Sequence, residues 1–319
     1  MKDKQITRRS FISQFSLTAA YAVIAFPCLS SCRPLDENLS VTEKSFALLS
    51  DTHVTAHPDQ MDYYYPPIEG DKGINLNSCF KRVTAELVAL KSELSSAIIC
   101  GDCARNNGSE EEYIRFRNIA EPLHQAGIQL YPAMGNHDNF ENFNKIMSEP
   151  SLPQSSVNSN YCYVVKSKNV NWFVLDSSSG VHGSDQHKWL GDQLDKNPNK
   201  PALLVTHYPL LFEHEKIEHP FIDSTLADTD ELFEIITDRK QVKAVFVGHW
   251  HLWYLAKAHG IHIISLPSVS SSFRPVDPSG WVHIKTKDDA MTLTLNHSNP
   301  RNGLHKDHGK NINLKWRTN

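Results

Sequence analysis

Ala244-Val245-Phe246-Val247-Gly248-His249-Trp250-His251 sets four apolar residues directly before a Gly-His-x-His cluster. The apolar run reads as a short buried strand, and the polar residues begin where it stops. The same grammar recurs four times upstream. Residues 46–49 stop at Ser50-Asp51-Thr52-His53, and residues 97–100 stop at Gly101-Asp102. Residues 128–133 lead to Gly135-Asn136-His137-Asp138, and residues 202–205 lead to His207-Tyr208-Pro209.

The segments between these strands carry helical periods. Phe80, Val83, Leu87, Leu90 and Leu94 recur at steps of three and four, with Ser78 as the expected N-cap. Tyr113, Phe116, Ala120 and Leu123 mark a second helix that ends by Gly127, with Pro122 expected to kink or restart it. Further helices are predicted around 184–194 and through Leu232, Phe233 and Ile236, and a hairpin over 161–165 and 170–175. Residues 261–266, 281–287 and 291–295 are strand-like with no helix between them. This order predicts an α/β core with largely parallel pairing, finished by an antiparallel sheet. Function in such folds gathers at the carboxyl ends of strands. There is no internal repeat or linker, so residues 45–299 read as one domain, and the polar stretch 300–319 is expected to be a loose tail.

In an extended segment, residues i and i+2 face the same side, so Asp51 with His53, and His249 with His251, are expected to point at one centre. Imidazole and carboxylate together suit zinc, iron or manganese. The glycines before Asp102, Asn136 and His249 are expected to let the backbone turn tightly. A lone Asp-x-His or Gly-Asp is common by chance. Five such segments in order, each after an apolar run, are not. The formal charge of −4 becomes −7 beyond residue 31, with 28 Lys and Arg against 35 Asp and Glu. That balance has no global basic field for gripping a phosphate backbone, so a polymeric nucleic acid is not expected as partner.

The ordered set Asp-x-His, Gly-Asp, Gly-Asn-His-Asp, His and Gly-His-x-His resembles the calcineurin-like metallophosphoesterase superfamily over roughly residues 45–270. The resemblance implies a four-layer αββα sandwich of two mixed β-sheets flanked by helices, with a two-metal site at the strand ends. Carried over by position, Asp51, His53 and His251 would hold one metal, and Asn136, His207 and His249 the other, with Asp102 bridging. His137 would assist the leaving group without binding metal, and Asp138 would orient it. Two such cations, manganese, iron or zinc, lower the pKa of a shared water and clamp phosphate oxygens.

Purple acid phosphatases carry a tyrosine ligand three residues after the bridging aspartate, where this chain has Arg105. The compact layout looks more like the small bacterial phosphodiesterases of the cyclic-nucleotide type. The implied substrate is a small phosphate ester, most simply a diester. A phosphomonoesterase or nucleotidase would use the same site, whereas a binding lipoprotein without turnover would be expected to have lost a ligand or His137. The long connection 57–77, with Tyr63-Tyr64-Tyr65, either stacks on a base or sugar or is a packed surface flap; Arg105 and Phe273-Arg274-Pro275 are read as possible rim.

Upstream, Thr7-Arg8-Arg9-Ser10-Phe11-Ile12 before an apolar stretch over 17–26 resembles a twin-arginine signal. The stretch is short of the roughly 20 residues a membrane span needs. Leu29-Ser30-Ser31-Cys32 resembles a lipobox. The expectation is a signal peptide over 1–31, lipid attachment at Cys32, a tether over 32–44 and an exported, membrane-anchored domain. Cys100-Gly-Asp-Cys103 has CxxC spacing, but no second pair completes a zinc site, so buried thiols are expected.

Overall fold

A computed structural model describes residues 45–147, 157, 160–210, 219–298 and 303–317. The expected signal peptide and lipobox lie outside the described residues. In chain order the elements are β1 (Ser45–Leu49), β2 (Met61–Asp62), β3 (Ile74–Asn75), α1 (Leu76–Ala89), β4 (Leu94–Ile99), α2 (Glu110–Gln125) and β5 (Gln129–Pro132). Then come α3 (Phe140–Met147), β6 (Tyr163–Lys166), β7 (Asn171–Val174), α4 (Ser184–Asp195), β8 (Ala202–Val205), α5 (Thr229–Thr237) and β9 (Val242–Val247). The chain finishes with β10 (Tyr254–Ala258), β11 (Ile261–Ser265), β12 (Gly280–Thr286), β13 (Ala290–His297) and β14 (Asn311–Lys315). Among the described residues no helix is long and apolar enough to cross a membrane.

Two six-stranded sheets form the body, ordered β14-β13-β12-β1-β4-β5 and β10-β11-β9-β8-β7-β6. Strand alternation sorts their side chains into layers. In the second sheet Trp172, Val174, Leu203, Val205, Ala244 and Phe246 join the larger core shared with the first sheet. Their neighbours Phe173, Leu175, Leu204, Val245 and Val247 join a separate cluster with Leu190, Leu194, Leu232 and Ile236 of α4 and α5. Phe46 of β1 meets Trp172 at 5.1 Å between ring centroids, which seats one sheet on the other. Helices α1, α2 and α3 add Phe80, Phe116 and Phe143 to the larger core, with Phe80 stacked on Phe116 at 5.3 Å. The mixed two-sheet architecture with flanking helices expected from the sequence is therefore present.

Several local expectations need correction. Asn75, not Ser78, caps α1: its side chain accepts from the Ser78 backbone N–H at 2.9 Å. Leu94 continues the apolar period but is the first residue of β4, because the last turn of α1 and the start of β4 enter the same core. α2 passes through Pro122 unbroken; the ring removes one donor in the last turns, while Phe116, Ile119 and Leu123 stay packed. A Ser109–Glu112 capping box and three glutamates in the first turn secure its other end. The C-terminal strands do not form a sheet of their own. β12 pairs antiparallel with β1, so the chain returns to extend the first sheet. Nor is 300–319 simply a loose tail: β14 lies antiparallel to β13, with Ile312 opposite Leu293 and Leu314 opposite Met291, and Trp316 is buried.

Candidate metal centre

β1, β4 and β5 run parallel in the first sheet, and β8 and β9 run parallel in the second. All five motifs therefore leave their strands at corresponding edges, where backbone bonds join neighbouring turns within each sheet and side-chain bonds link one sheet to the other. His53 N–H donates to the Asp102 carbonyl at 3.0 Å, and Gly248 N–H to the His207 carbonyl at 2.9 Å. His249 N–H donates to Asp51 Oδ2 at 3.2 Å, and Cys100 Sγ to the Thr206 carbonyl at 3.1 Å. Cys100 and Cys103 are buried, free thiols, as expected, and Cys79 and Cys162 are buried as well.

Strand alternation is not what makes the side chains converge. Asp51, His53, Asp102, His249 and His251 have φ of 51°, 42°, 52°, 66° and 51°, all in the left-handed region. Among the described residues only one other non-glycine residue, His259, has positive φ. Left-handed L-residues cost roughly 1–2 kcal/mol each, so the strain is concentrated at the centre and is held there by surrounding packing. The glycines act mainly through close approach. A Cβ on Gly135 would stand 2.5 Å from the Asp102 backbone nitrogen, and one on Gly248 would stand 2.8 Å from the Cys100 carbonyl. Only Gly101 (φ 78°) also needs the left-handed region, and a Cβ there would meet His207 Nδ1 at 2.5 Å. Gly101→Ala is therefore expected to destabilise the fold by more than about 1 kcal/mol and to weaken metal uptake, as read by thermal denaturation with and without metal.

The imidazoles are oriented from behind by carbonyls, which fixes which nitrogen faces inward. His53 Nδ1 meets the Ala104 carbonyl at 3.3 Å, His207 Nδ1 that of Cys100 at 2.8 Å, and His251 Nδ1 that of Ser271 at 2.6 Å. Their Nε2 atoms face the carboxylates. His207 Nε2 lies 3.2 Å from Asp102 Oδ2, and His251 Nε2 lies 3.2 Å from Asp51 Oδ1. His249 is turned the other way, with Nε2 on the Ser224 hydroxyl at 2.7 Å, leaving Nδ1 for the centre. Asn136 Oδ1 is 3.1 Å from His207 Nε2. Asp51, His53 and His251 form one group with ligand atoms within 4.8 Å of one another, and Asp102, His207 and His249 form another.

These residues fit cations. Asp51 Oδ1 is buried without a hydrogen-bond partner, and His53 and His251 bring their Nε2 atoms to 3.1 Å. Burial lowers His53 and His249 to about 3, so both imidazoles are neutral and their lone pairs are available. Burial would raise Asp51 and Asp102, but neighbouring histidines hold both carboxyls below their ordinary range. Burial would lower His207, yet Asp102 and Asp51 push it up to about 10. A buried site whose carboxylates recruit a proton onto imidazole is one short of positive charge.

His137 stands beside His53, with ring centroids 5.0 Å apart. Its ligand atom also lies within 4.8 Å of those of His53 and Asp102. Its Nδ1 meets the Asn106 carbonyl at 2.8 Å. The expected orienting role of Asp138 is not what the structure contains. The Asp138 carboxylate accepts from the backbone N–H groups of Cys103, Ala104 and Gly135 and from the Tyr113 hydroxyl, so it braces the two turns. Asn106, Ser224 and Ser271 escaped the sequence reading. Asn106 lies four residues beyond Asp102, whereas Ser224 and Ser271 sit in loops with no motif to mark them.

Over the centre opens a cavity of about 550 Å³. Tyr63, Tyr65, Phe221 and Phe273 supply an aromatic rim, Tyr65 stacks on Phe221 at 5.7 Å, and Tyr64 is buried beneath. Arg105 lines the cavity and pairs with Asp62 at 3.4 Å. Arg274 instead forms a two-point pair with Asp277 at 2.7 and 2.8 Å.

The fold agrees with what the chain is similar to. A 3',5'-cyclic-nucleotide phosphodiesterase of Nostoc sp. is 28% identical over 233 residues, covering 72% of this chain and 80% of that protein. A 3',5'-cyclic adenosine monophosphate phosphodiesterase of Haemophilus influenzae is 26% identical over 237 residues, covering 70% and 81%. Among solved structures, a dimetal phosphatase from Danio rerio superposes with a TM-score of 0.63 at 12% identity, over 86% of this chain and all of that one. Residues 44–252 match the calcineurin-like phosphoesterase family, and the chain belongs to that family of metal-dependent phosphoric ester hydrolases.

Proposed function

We propose that the protein hydrolyses small phosphodiesters with two metal ions, one held by Asp51, His53 and His251, the other by Asn136, His207 and His249, with Asp102 between them. The observation that carries the reading is the pairing of two histidine–carboxylate groups with His137 at the floor of an open cavity. The donor set suits manganese, iron or zinc. When bound, such ions supply Lewis acidity and a water acidic enough to attack near neutral pH. The chain supplies the rest. The Asn106 carbonyl holds His137 by Nδ1, which turns Nε2 toward the cavity, the position from which a proton can pass to the leaving oxygen. The aromatic rim suits an ester with a flat or hydrophobic substituent. Named cyclic-nucleotide phosphodiesterases among the relatives support a diester over a monoester. The test compares bis(p-nitrophenyl) phosphate with p-nitrophenyl phosphate, with manganese and with chelator. Diester turnover lost in chelator is expected, and a clear monoester preference would reassign the protein as a phosphatase.

We further propose that residues 1–31 direct export and that Cys32 carries a lipid. The support is the Arg8-Arg9 signal pattern and the Leu29-Ser30-Ser31-Cys32 motif. Cys32→Ala is expected to move the protein from the membrane fraction to the soluble fraction and to abolish labelling by a fatty-acid analogue. Retained labelling would rule out Cys32 as the attachment point.

A further inference from the structure

A second cluster of metal-ligating side chains lies outside the centre. His182 sits in the loop between β7 and α4, His187 in the first turns of α4, and Asp228 directly before α5. Their ligand atoms lie within 4.8 Å of one another. His182 and His187 are 2% and 8% exposed, and His182 Nδ1 and His187 Nε2 are both buried without a hydrogen-bond partner. A buried nitrogen without a partner is costly, and two of them on rings 5.4 Å apart call for a shared partner. The remaining contacts orient the set for one. His182 Nε2 pairs with the Thr206 hydroxyl at 2.9 Å; with that hydroxyl accepting, Nδ1 carries the lone pair. The Asp228 carboxylate is pinned by the His182 N–H at 2.9 Å and the Gly183 N–H at 2.8 Å, and Oδ2 lies 3.7 Å from His187 Nε2.

We propose that His182, His187 and Asp228 bind a divalent transition-metal ion of the zinc class, separate from the catalytic pair. Two imidazoles and a carboxylate match zinc chemistry, and metal–ligand bonds of about 2.0–2.1 Å put tetrahedral donors roughly 3.3 Å apart. Modest rotation of the His187 side chain would close the 3.7 Å between its Nε2 and Asp228 Oδ2. Burial lowers His182 to about 3 and lowers His187, which disfavours the protonated forms that would compete with a cation. Glu231, in the first turn of α5, adds negative field at His187. The ion would tie α4 and α5 to the segment behind the centre. There Ser177 Oγ accepts from the N–H groups of both His207 and Tyr208, and Thr206 precedes His207.

The full chain is stripped with chelator, dialysed against zinc and freed of excess, and zinc per chain is counted by elemental analysis. His187→Ala, His187→Gln and Asp228→Asn are carried alongside, with circular dichroism to confirm folding. Each folded variant is expected to hold one zinc fewer than the wild type and to gain less in melting temperature from added zinc. That one-equivalent difference is read whatever the occupancy of the main centre, so it stands or falls apart from the phosphodiesterase reading. Equal zinc content in the wild type and the folded variants overturns the proposal.

Discussion

Asp102→Ala is expected to lower diester turnover by roughly 10³-fold or more and to strip metal from the centre, because one side chain serves both halves of it. Asp102 Oδ2 faces His207 Nε2 at 3.2 Å and His53 Nε2 at 3.7 Å, while Oδ1 accepts the His137 backbone N–H at 2.9 Å. If Asp102 bridges the two ions as proposed, alanine removes a ligand from both, and it also removes the anchor of the turn that carries His137. Metal ions contribute several kcal/mol of charge stabilisation in such reactions, and each 1.36 kcal/mol is tenfold in rate. Asp102→Asn keeps the shape but not the charge, so it separates the two effects: folding retained, metal and turnover lost. The measurement is kcat together with metal per chain. An Asp102→Asn protein holding two metals with near-normal kcat would contradict a bridging role.

His137→Ala is expected to act differently, reducing kcat by about 10²–10⁴ on a diester with an alkyl leaving group while leaving metal content unchanged. On a p-nitrophenyl diester the loss shrinks, because that leaving group departs without a proton. The contrast rests on His137 being held from behind by a carbonyl, with the cavity in front. Its ligand atom is close enough to those of His53 and Asp102 for coordination, so counting metal in the variant decides between the two roles. Loss of a metal equivalent would make His137 a ligand. A loss independent of leaving group would remove it from proton transfer.

Most of the centre was legible before any coordinates. Asp51, His53, Asp102, Asn136, His207, His249 and His251 each follow a short apolar run, and a buried strand that ends in a polar residue delivers that residue to the sheet edge whatever the remainder of the fold does. Their convergence does not come from strand alternation, since the paired residues are left-handed rather than extended. Backbone conformation at a strained turn leaves no mark on composition. Asp138 was misread for a related cause: adjacency to His137 suggested a partner, whereas its carboxylate is consumed by three backbone N–H groups, and backbone donors are invisible in a sequence.

Local patterning settled which segments are strands and helices and which side chains stand at strand ends, because burial of an apolar run is a local demand. Pairing across the chain was settled by long-range contact. β12 had to return to β1 for the first sheet to be six strands wide, and Ile312 and Leu314 make a strand only because β13 offers them an edge. The same holds for the cluster of His182, His187 and Asp228, two of which lie 46 and 41 residues from the third. No period or motif links them, and only the docking of α4 beside α5 on the second sheet brings their ligand atoms within 4.8 Å of one another.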